Sequence, residues 1–282
     1  MIHIKKLHGV VPILGLGTWL MGGAEQKDTA FDKENIKTIR NAINLGITHI
    51  DTAESYGDGH TEELVGEAIK GIEREKLFIV SKVKRKNLHY NDVISAAKRS
   101  MKRMGIDYID LYLIHWPDPC IPLRETMKAM NYLMKENLVR YIGVSNFSVP
   151  LLREAQKHSE NKIVTNQIEY NLLKREAEHE VIPYCQKHDI VVTAYRCLAL
   201  GQLAKPGFKV LDDLAYKYEK TQAQISINWV LSHKNVSSIV KTNDIGHLKE
   251  IIDSIGWRIN HNDITKLNNA FGIDGNIKNT NH

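Results

Sequence analysis

The sequence is short of cysteine, of separators between domains and of long apolar runs. Its three cysteines, Cys120, Cys185 and Cys197, form no Cys-x-x-Cys pair, so we expect neither a disulfide framework nor a bound metal. Free thiols are typical of the cytoplasm, and we predict a cytoplasmic protein. There is no stretch of about 18 apolar residues, so we expect no membrane-spanning helix and no membrane partner. No linker or low-complexity segment divides the 282 residues, which favours a single domain over residues 1–282.

The charge of the chain is nearly balanced and is spread along its length. There are 38 basic and 33 acidic side chains, which gives a formal net charge of +5. The densest basic run, residues 82–86, has no aromatic residues between its charges, so nucleic-acid binding is not expected. A small positive excess is compatible with an anionic small-molecule cofactor. We expect a monomer or a weak oligomer.

Short β-rich runs alternate with amphipathic segments along most of the chain. This alternation predicts βαβ units and a parallel sheet. An open doubly wound sheet and a closed barrel both satisfy the pattern, and eight strand–helix units in about 250 residues match the closed (β/α)8 TIM barrel. We therefore predict this α/β fold, preceded by a short β-hairpin formed by residues 2–4 and 10–11. The predicted strands are Ile13–Gly17, Thr48–Asp51, Leu77–Ser81, Tyr108–Ile114, Tyr141–Val144, Ile163–Ile168, Ile190–Ala194 and Ser237–Val240.

Apolar residues at helical spacing predict helices between several of these strands. Polar residues or proline at the start and glycine at the end support the assignments. Thr61 is predicted to cap the second helix. The predicted helices are Asn35–Leu45, Thr61–Ile69, Asn91–Met104, one that begins at Val149-Pro150, and Ile264–Ala270.

The stretch GLGTWLMGG, residues 15–23, raises the alternative of a Rossmann fold. A Gly-x-Gly after a strand begins a dinucleotide fingerprint, which then needs a third small residue and an immediate helix. Leu20 occupies the third position, and no helical pattern starts before about Phe31. The glycines therefore do not indicate a Rossmann phosphate turn.

Polar side chains end most of the predicted strands. Catalytic groups of a barrel lie at the carboxyl ends of its strands, so these side chains are expected to face one rim. Each of them has an ordinary structural alternative, as a helix cap or a solvated side chain, but several reactive types at the same ends favour an active site. The residues are Asp51, Lys82, His115, Ser145, Asn146, Gln167, Tyr195 and Lys241, with Tyr56 in the loop after Asp51.

Four of these residues suit the reduction of a carbonyl group. A hydride that adds to the carbonyl carbon leaves charge on the oxygen, and a proton donor must meet that oxygen. The phenol of Tyr56 is an ordinarily weak acid, with a pKa of about 10, which a nearby ammonium lowers by stabilising the phenolate. Lys82 is predicted to supply that ammonium and Asp51 to hold it by an ion pair. His115 is predicted to hydrogen-bond the carbonyl oxygen.

In their contexts GITHIDTAESYG, FIVSKV and MGIDYIDLYLIHWP, these four residues resemble the active site of the aldo-keto reductases. The resemblance continues through GLGTW, YIGVSNF, NQIEYN, AYRCLALGQL and SIVKTNDIGHLKE. It implies a (β/α)8 enzyme that reduces small or sugar-like aldehydes or ketones with NAD(P)H, with a tyrosine as general acid. Two alternatives remain open: an NADP-dependent alcohol or sugar dehydrogenase that runs in the oxidative direction, and a regulatory barrel that binds the cofactor without catalysis.

The resemblance also implies which residues contact the cofactor and the substrate. The backbone at Gly17 and Thr18 is expected to approach the cofactor, Ser145, Asn146 and Gln167 to bind the nicotinamide carboxamide, Tyr195 to stack on the nicotinamide ring, and Trp19 and Trp116 to line the substrate pocket.

Two departures from the family pattern concern the cofactor pyrophosphate and the pocket wall. Arg196 follows the stacking tyrosine where a Ser-Pro pair is frequent, so it is either a pyrophosphate ligand or a solvated side chain. Lys84 stands where many members carry tryptophan, so the pocket wall is expected to differ.

A third departure concerns the adenosine 2′-phosphate. The expected segment reads Lys241-Thr242-Asn243, and His247 stands where an arginine is usual. The bidentate guanidinium is therefore missing, while a lysine and a hydroxyl remain. On balance the resemblance favours NADP(H), with NAD(H) as the alternative.

Overall fold

The computed structural model describes residues 4–273, in which eight parallel strands form a closed barrel. The predicted (β/α)8 fold is therefore confirmed. The barrel strands are adjacent in the order β10-β3-β4-β5-β6-β7-β8-β9. They are β3 (Leu14–Gly17), β4 (His49–Asp51), β5 (Phe78–Val83), β6 (Ile109–Ile114), β7 (Val139–Ser145), β8 (Ile163–Glu169), β9 (Val191–Tyr195) and β10 (Val236–Val240).

The predicted N-terminal hairpin is present, but its first strand differs from the prediction. It consists of β1 (Lys6–Leu7) and β2 (Val11–Pro12), which pair in antiparallel register. The turn at His8 and Gly9, both with positive φ, places Leu7 opposite Val11, so Ile4 lies before the first strand rather than in it. Residues 2 and 3 lie outside the described part of the chain.

The described residues group into two compact units. The first is Gly15–Gln167, and the second comprises residues 4–14 and 168–273. The organisation of residues 1–282 as one domain stays a prediction. Helices of the first unit are α1 (Asp32–Asn44), α2 (His60–Ile69), α3 (Tyr90–Met104), α4 (Leu123–Lys135) and α5 (Val149–His158). Those of the second are α6 (Val181–Lys187), α7 (Lys209–Tyr218), α8 (Gln222–Ser232), α9 (Ile245–Ile252) and α10 (His261–Ala270).

The core of the first unit follows from its apolar strands and amphipathic helices. Every residue of β5 and β6 is buried, as is usual for parallel strands that are covered on both faces. Helix α3 buries Val93, Ala97 and Met101 on one side and ends at Gly105, whose positive φ suits a helix C-terminus.

The predicted capping role of Thr61 is wrong. Helix α2 begins one residue earlier, at His60, after Gly59 with φ 94°. The buried Thr61 hydroxyl donates to the carbonyl oxygen of Met21 instead. A contact with a distant loop has therefore replaced the local cap.

Three features of the described residues bear on the class of protein. No helix in residues 4–273 combines the length and the apolar character that a membrane crossing requires. Within the same residues, no group of three or more His, Cys, Asp or Glu side chains is arranged to hold a metal ion. Cys120 is an exposed free thiol, and Cys185 and Cys197 are buried free thiols.

Candidate active site

Three neighbouring strands bring Asp51, Lys82 and His115 to the same end of the first unit. Asp51 is the last residue of β4, Lys82 is the penultimate residue of β5, and His115 directly follows β6. The pairing register fixes their relative heights, because Lys82 lies opposite Leu113 and the backbone N–H of His115 donates to the carbonyl oxygen of Val83 at 3.1 Å. The predicted convergence of these residues therefore follows from strand order and register.

Lys82 and Asp51 form a buried ion pair. The distance from Lys82 Nζ to Asp51 Oδ1 is 2.5 Å, and the exposed fractions of the two side chains are 0% and 2%. The second carboxylate oxygen of Asp51 accepts a hydrogen bond from Gln167 Nε2 at 2.8 Å, and Lys82 Nζ also donates to the carbonyl oxygen of Thr52 at 2.9 Å. Both charges therefore have the additional hydrogen bonds that a buried pair requires.

The phenol of Tyr56 lies beside this ion pair. Lys82 Nζ donates to the Tyr56 hydroxyl oxygen at 3.3 Å and is 5.0 Å from the centre of the Tyr56 ring. The imidazole of His115 meets the same ring edge-on, with the ring centres 5.6 Å apart. Tyr56 begins a short 3₁₀ turn, Tyr56–Gly59, so the loop after β4 has to be held in place for this contact to persist.

Two opposing effects act on the Lys82 ammonium. Burial alone favours the neutral amine, but the Asp51 carboxylate and Tyr56 outweigh it and raise the pKa of Lys82 above its ordinary value. Lys82 therefore carries its charge at neutral pH, and a positive charge next to a phenol oxygen favours the phenolate.

Burial, with a smaller contribution from the Lys82 charge, lowers the pKa of His115 to about 3. The imidazole is therefore neutral at physiological pH. Its Nδ1 is 3.3 Å from the hydroxyl of Ser55, and when that hydroxyl donates, the ring proton is on Nε2. A neutral imidazole in this state offers one N–H donor to an oxygen atom near Tyr56.

Glu54 is a residue of the site that the sequence prediction missed. Its side chain is buried, and Oε1 accepts hydrogen bonds from the backbone N–H of Lys84 at 2.8 Å and from Asn87 Nδ2 at 3.0 Å. These bonds join the loop that carries Tyr56 to the segment after β5. A signal was present, since an acidic residue two positions before the predicted catalytic tyrosine has to be solvated or partnered.

The predicted carboxamide-binding residues form one hydrogen-bonded group with Asp51 and His115. The hydroxyl of Ser145 donates to the carbonyl oxygen of Gln167 at 2.9 Å, and Asn146 Nδ2 donates to the carbonyl oxygen of His115 at 3.2 Å. Asn146 has a φ of 64°, a left-handed conformation that asparagine tolerates. Amide and hydroxyl groups next to His115 and Asp51 fit the binding of a carboxamide.

The GLGTW segment lies at the same end of the first unit as Asp51. Gly17 lies opposite Asp51 in the β3–β4 pairing. The backbone N–H and the hydroxyl of Thr18 both donate to the carbonyl oxygen of Asp51, at 3.0 and 2.9 Å. Trp19 is half-buried, and Trp116, next to His115, has an exposed fraction of 49%. An exposed tryptophan beside His115 is suited to contact a bound molecule.

Two predicted cofactor residues lie at the end of β9 in the second unit. Tyr195 is the last residue of that strand, and its carbonyl oxygen accepts a hydrogen bond from the backbone of Tyr170. Arg196 follows with a φ of 52°, and its guanidinium is 3.4 Å from the carboxylate of Glu169. Arg196 is therefore held by a side-chain partner that neither sequence alternative included.

The remaining predicted cofactor residues surround the start of α9. Lys241 follows β10, and desolvation lowers the pKa of its ammonium. Within residues 4–273 no acidic side chain pairs with it. Thr242 is buried and its hydroxyl accepts from the backbone of Asp244, the N-cap of α9, while Asn243 and His247 are exposed. A cation without an acidic partner close to a helix N-terminus fits an anionic group such as a phosphate.

A (β/α)8 barrel with an aspartate, a tyrosine, a lysine and a histidine at the ends of neighbouring strands has the groups that a carbonyl reductase needs. The sequence profile of the Aldo/keto reductase family matches residues 13–270. The chain is 35% identical over 265 residues to methylglyoxal reductase YeaE of Escherichia coli, covering 93% of this chain and 91% of that protein. It therefore belongs to the aldo/keto reductase family and is an oxidoreductase.

Two solved structures show the same fold as this chain. The thermostable aldo-keto reductase Tm1743, crystallised with the inhibitor epalrestat, superimposes with a TM-score of 0.91 at 41% identity, over 95% of this chain and 99% of that one. An aldo/keto reductase from Klebsiella pneumoniae, crystallised with NADP and acetate, superimposes with a TM-score of 0.85 at 33% identity, over 96% and 95% of the two chains. The family resemblance read from the sequence is therefore confirmed.

Proposed function

We propose that this enzyme reduces small aldehydes or ketones with NADPH and that Tyr56 is the general acid. The observation that supports the proposal is a pair of contacts made by Lys82 Nζ, which is 2.5 Å from Asp51 Oδ1 and 3.3 Å from the Tyr56 hydroxyl oxygen. A buried ammonium that touches a phenol oxygen is the arrangement that proton donation by tyrosine requires. The name of the relative from E. coli, a methylglyoxal reductase, supports a small carbonyl substrate.

The proposed role of each residue follows from its charge state. The reduced nicotinamide, when bound, supplies a hydride to the carbonyl carbon. Tyr56 then gives its proton to the developing alkoxide, and the Lys82 ammonium stabilises the phenolate that remains. Asp51 keeps Lys82 charged and in position. Because proton transfer is reversible, the phenolate is the base when an alcohol is oxidised.

His115 orients the substrate rather than protonating it. With a pKa of about 3, the imidazole has no second proton to give at neutral pH. It can still donate its single N–H to the carbonyl oxygen, which places that oxygen next to the Tyr56 hydroxyl. Its neutral state also avoids adding a second positive charge beside Lys82.

We propose the cofactor roles on the donor groups present. Ser145, Asn146 and Gln167 bind the nicotinamide carboxamide, and Gly17 and Thr18 line the approach to it. In the second unit, Lys241 binds the adenosine phosphate, which favours NADP(H) over NAD(H). Thr242, Asn243 and His247 flank it, and Tyr195, the last residue of β9, is the proposed stacking residue for the nicotinamide ring. The complex of the Klebsiella enzyme with NADP supports this assignment.

Tyr56→Phe tests the proposed general acid. Loss of the hydroxyl is expected to lower kcat for an aldehyde such as methylglyoxal by at least about 100-fold, the usual contribution of a positioned proton donor. The dissociation constant for NADPH, measured by quenching of tryptophan fluorescence, is expected to change by less than about twofold, because the phenol is not among the proposed cofactor contacts.

Tyr216→Phe is the matched control, since Tyr216 has an exposed fraction of 90% and the same hydroxyl is lost there. It is expected to keep wild-type kinetics. A Tyr56→Phe enzyme that reduces aldehydes at a rate close to that of the wild type would show that the proton comes from another group.

A further inference from the structure

Lys84 lies on the same extended segment as Lys82, two residues further on. Strand β5 ends at Val83, and the backbone of Lys84 remains extended, with φ −73° and ψ 151°. Side chains two residues apart on extended backbone leave from the same face. Lys82 reaches Asp51 and Tyr56 from that face, and Lys84 leaves the segment on the same face about 6.6 Å further toward its carboxyl end.

The backbone of Lys84 is fixed, whereas its side-chain ammonium is only loosely held. Its backbone N–H donates to the buried carboxylate of Glu54 at 2.8 Å. Its side chain is 23% exposed, and Nζ is 3.4 Å from Oδ1 of Asp58, whose exposed fraction is 75%. Asp58 belongs to the 3₁₀ turn that Tyr56 begins, so the ammonium is located beside that turn. A long ion pair with a solvated carboxylate is weak and is readily exchanged for another anion.

Two other cations near Lys84, Arg99 and Arg85, already have acidic partners. Arg99 is 3.8 Å from the carboxylate of Glu54, which Asn87 also contacts. Arg85, the next residue along the chain, is 3.1 Å from Asp118. Lys84, by contrast, is anchored through its backbone to Glu54, and its ammonium is held by one solvated carboxylate of the turn that Tyr56 begins.

We propose that Lys84 binds an anionic group of the substrate, so that the enzyme prefers carbonyl compounds that carry a carboxylate over neutral compounds of the same size. This inference rests on the proposed function and names its substrate class. A lysine ammonium is a point charge without the fork geometry of arginine, so it accepts a carboxylate or a phosphate in several orientations. Lys82 and Lys84 are about 6.6 Å apart along the segment, which is of the same order as the separation between the carbonyl and the anionic group of a para-substituted benzaldehyde.

The test compares 4-carboxybenzaldehyde with its neutral counterpart, methyl 4-formylbenzoate. The measured quantity is the ratio of kcat/KM for the acid to kcat/KM for the ester, with NADPH as reductant. In Lys84→Met this ratio is expected to fall about fivefold relative to the wild type, through a higher KM for the acid. Lys84→Arg keeps the charge and is expected to restore most of the ratio. Asp58→Asn removes the competing carboxylate and is expected to raise it.

Lys86→Met is the matched control, because it removes the same charge from an exposed lysine two residues further on. It is expected to leave the ratio unchanged. The wild-type ratio is also expected to fall as the salt concentration rises, since the interaction is electrostatic and partly solvated.

Three outcomes overturn the inference. One is a ratio that Lys84→Met does not change, and another is an equal fall in Lys84→Met and Lys86→Met. The third is a rise in KM for NADPH in Lys84→Met that affects both aldehydes equally, which would make the cofactor phosphate the ligand. Each of these leaves reduction of the ester by the wild-type enzyme intact. Failure of the wild type to reduce either aldehyde would instead contradict the proposed function.

Discussion

Replacement of Asp51 by asparagine tests whether the Lys82–Asp51 pair holds the site together. In the wild type the two carboxylate oxygens of Asp51 accept hydrogen bonds from Lys82 and from Gln167. The change removes the negative charge and leaves a single side-chain oxygen. Lys82, which is completely buried, then keeps the carbonyl oxygen of Thr52 as its remaining strong acceptor. An ammonium without a counter-charge is thus left in the interior.

The expected cost in the free energy of unfolding is about 3–5 kcal/mol, the usual range for removal of one member of a buried pair. The contribution of the pair in the wild type is expected to be constant with pH across the neutral range. The pKa of Lys82 is raised above its ordinary value, so the stability that the pair contributes is fully present below about pH 10 and is lost only as the pH rises through the folded-state pKa. Urea denaturation at pH 6, 7 and 8, followed by tryptophan fluorescence, measures the loss.

The double variant Asp51→Asn/Lys82→Met separates stability from catalysis. It removes both charges, so no uncompensated charge stays buried, and its free energy of unfolding is expected to lie within about 1–2 kcal/mol of the wild type. Its kcat/KM for aldehydes is expected to be at least about 100-fold lower than that of the wild type, because the ammonium that stabilises the phenolate is lost. If the double variant is as unstable as the sum of the two single variants, the charges are not coupled and the reasoning is refuted.

Acid sensitivity and the choice of cofactor provide two further tests. The pKa of His115 is about 3 in the folded state and about 6.5 in the unfolded chain. Protonation of the unfolded chain alone is therefore expected to lower the free energy of unfolding by about 2 kcal/mol between pH 7 and pH 5. His115→Asn is expected to remove that part of the slope in urea denaturation, and equal slopes would contradict it. Lys241→Met is expected to raise the dissociation constant of NADPH about tenfold and to leave that of NADH unchanged, as measured by fluorescence titration, and equal weakening of both would argue against a phosphate contact.

Most of the strand positions could be predicted because the strands are short apolar runs between clear helix signals. The predicted run Tyr108–Ile114 and the observed strand Ile109–Ile114 differ by one residue. Helices were harder to predict where the helix is not buried on one face only. Residues Ala223–Val230 of α8 are buried on all faces, so the segment has no amphipathic spacing to detect. Helix α1 starts three residues before its predicted start, because its first turn is polar and solvated.

The positions of the proposed catalytic residues could be predicted from the sequence where strand ends determine them. Asp51, Lys82 and His115 are at strand ends, and the barrel rule therefore applied to them. The hydrogen bond from Gln167 to Asp51 joins residues 116 positions apart, and only the folded barrel shows that they meet. The link from Glu54 to the segment after β5 is a loop-to-loop contact for which no periodicity exists.

The four proposed catalytic side chains all come from residues 51–115, on the adjacent strands β4 and β5 or in the loops after β4 and β6. In the proposed mechanism the proton chemistry is thereby confined to one continuous stretch of the chain. The proposed cofactor contacts lie mostly on the later strands β7 to β10 and directly after them. An engineer seeking a different cofactor can accordingly vary residues 241–247 and leave the stretch from Asp51 to His115 untouched.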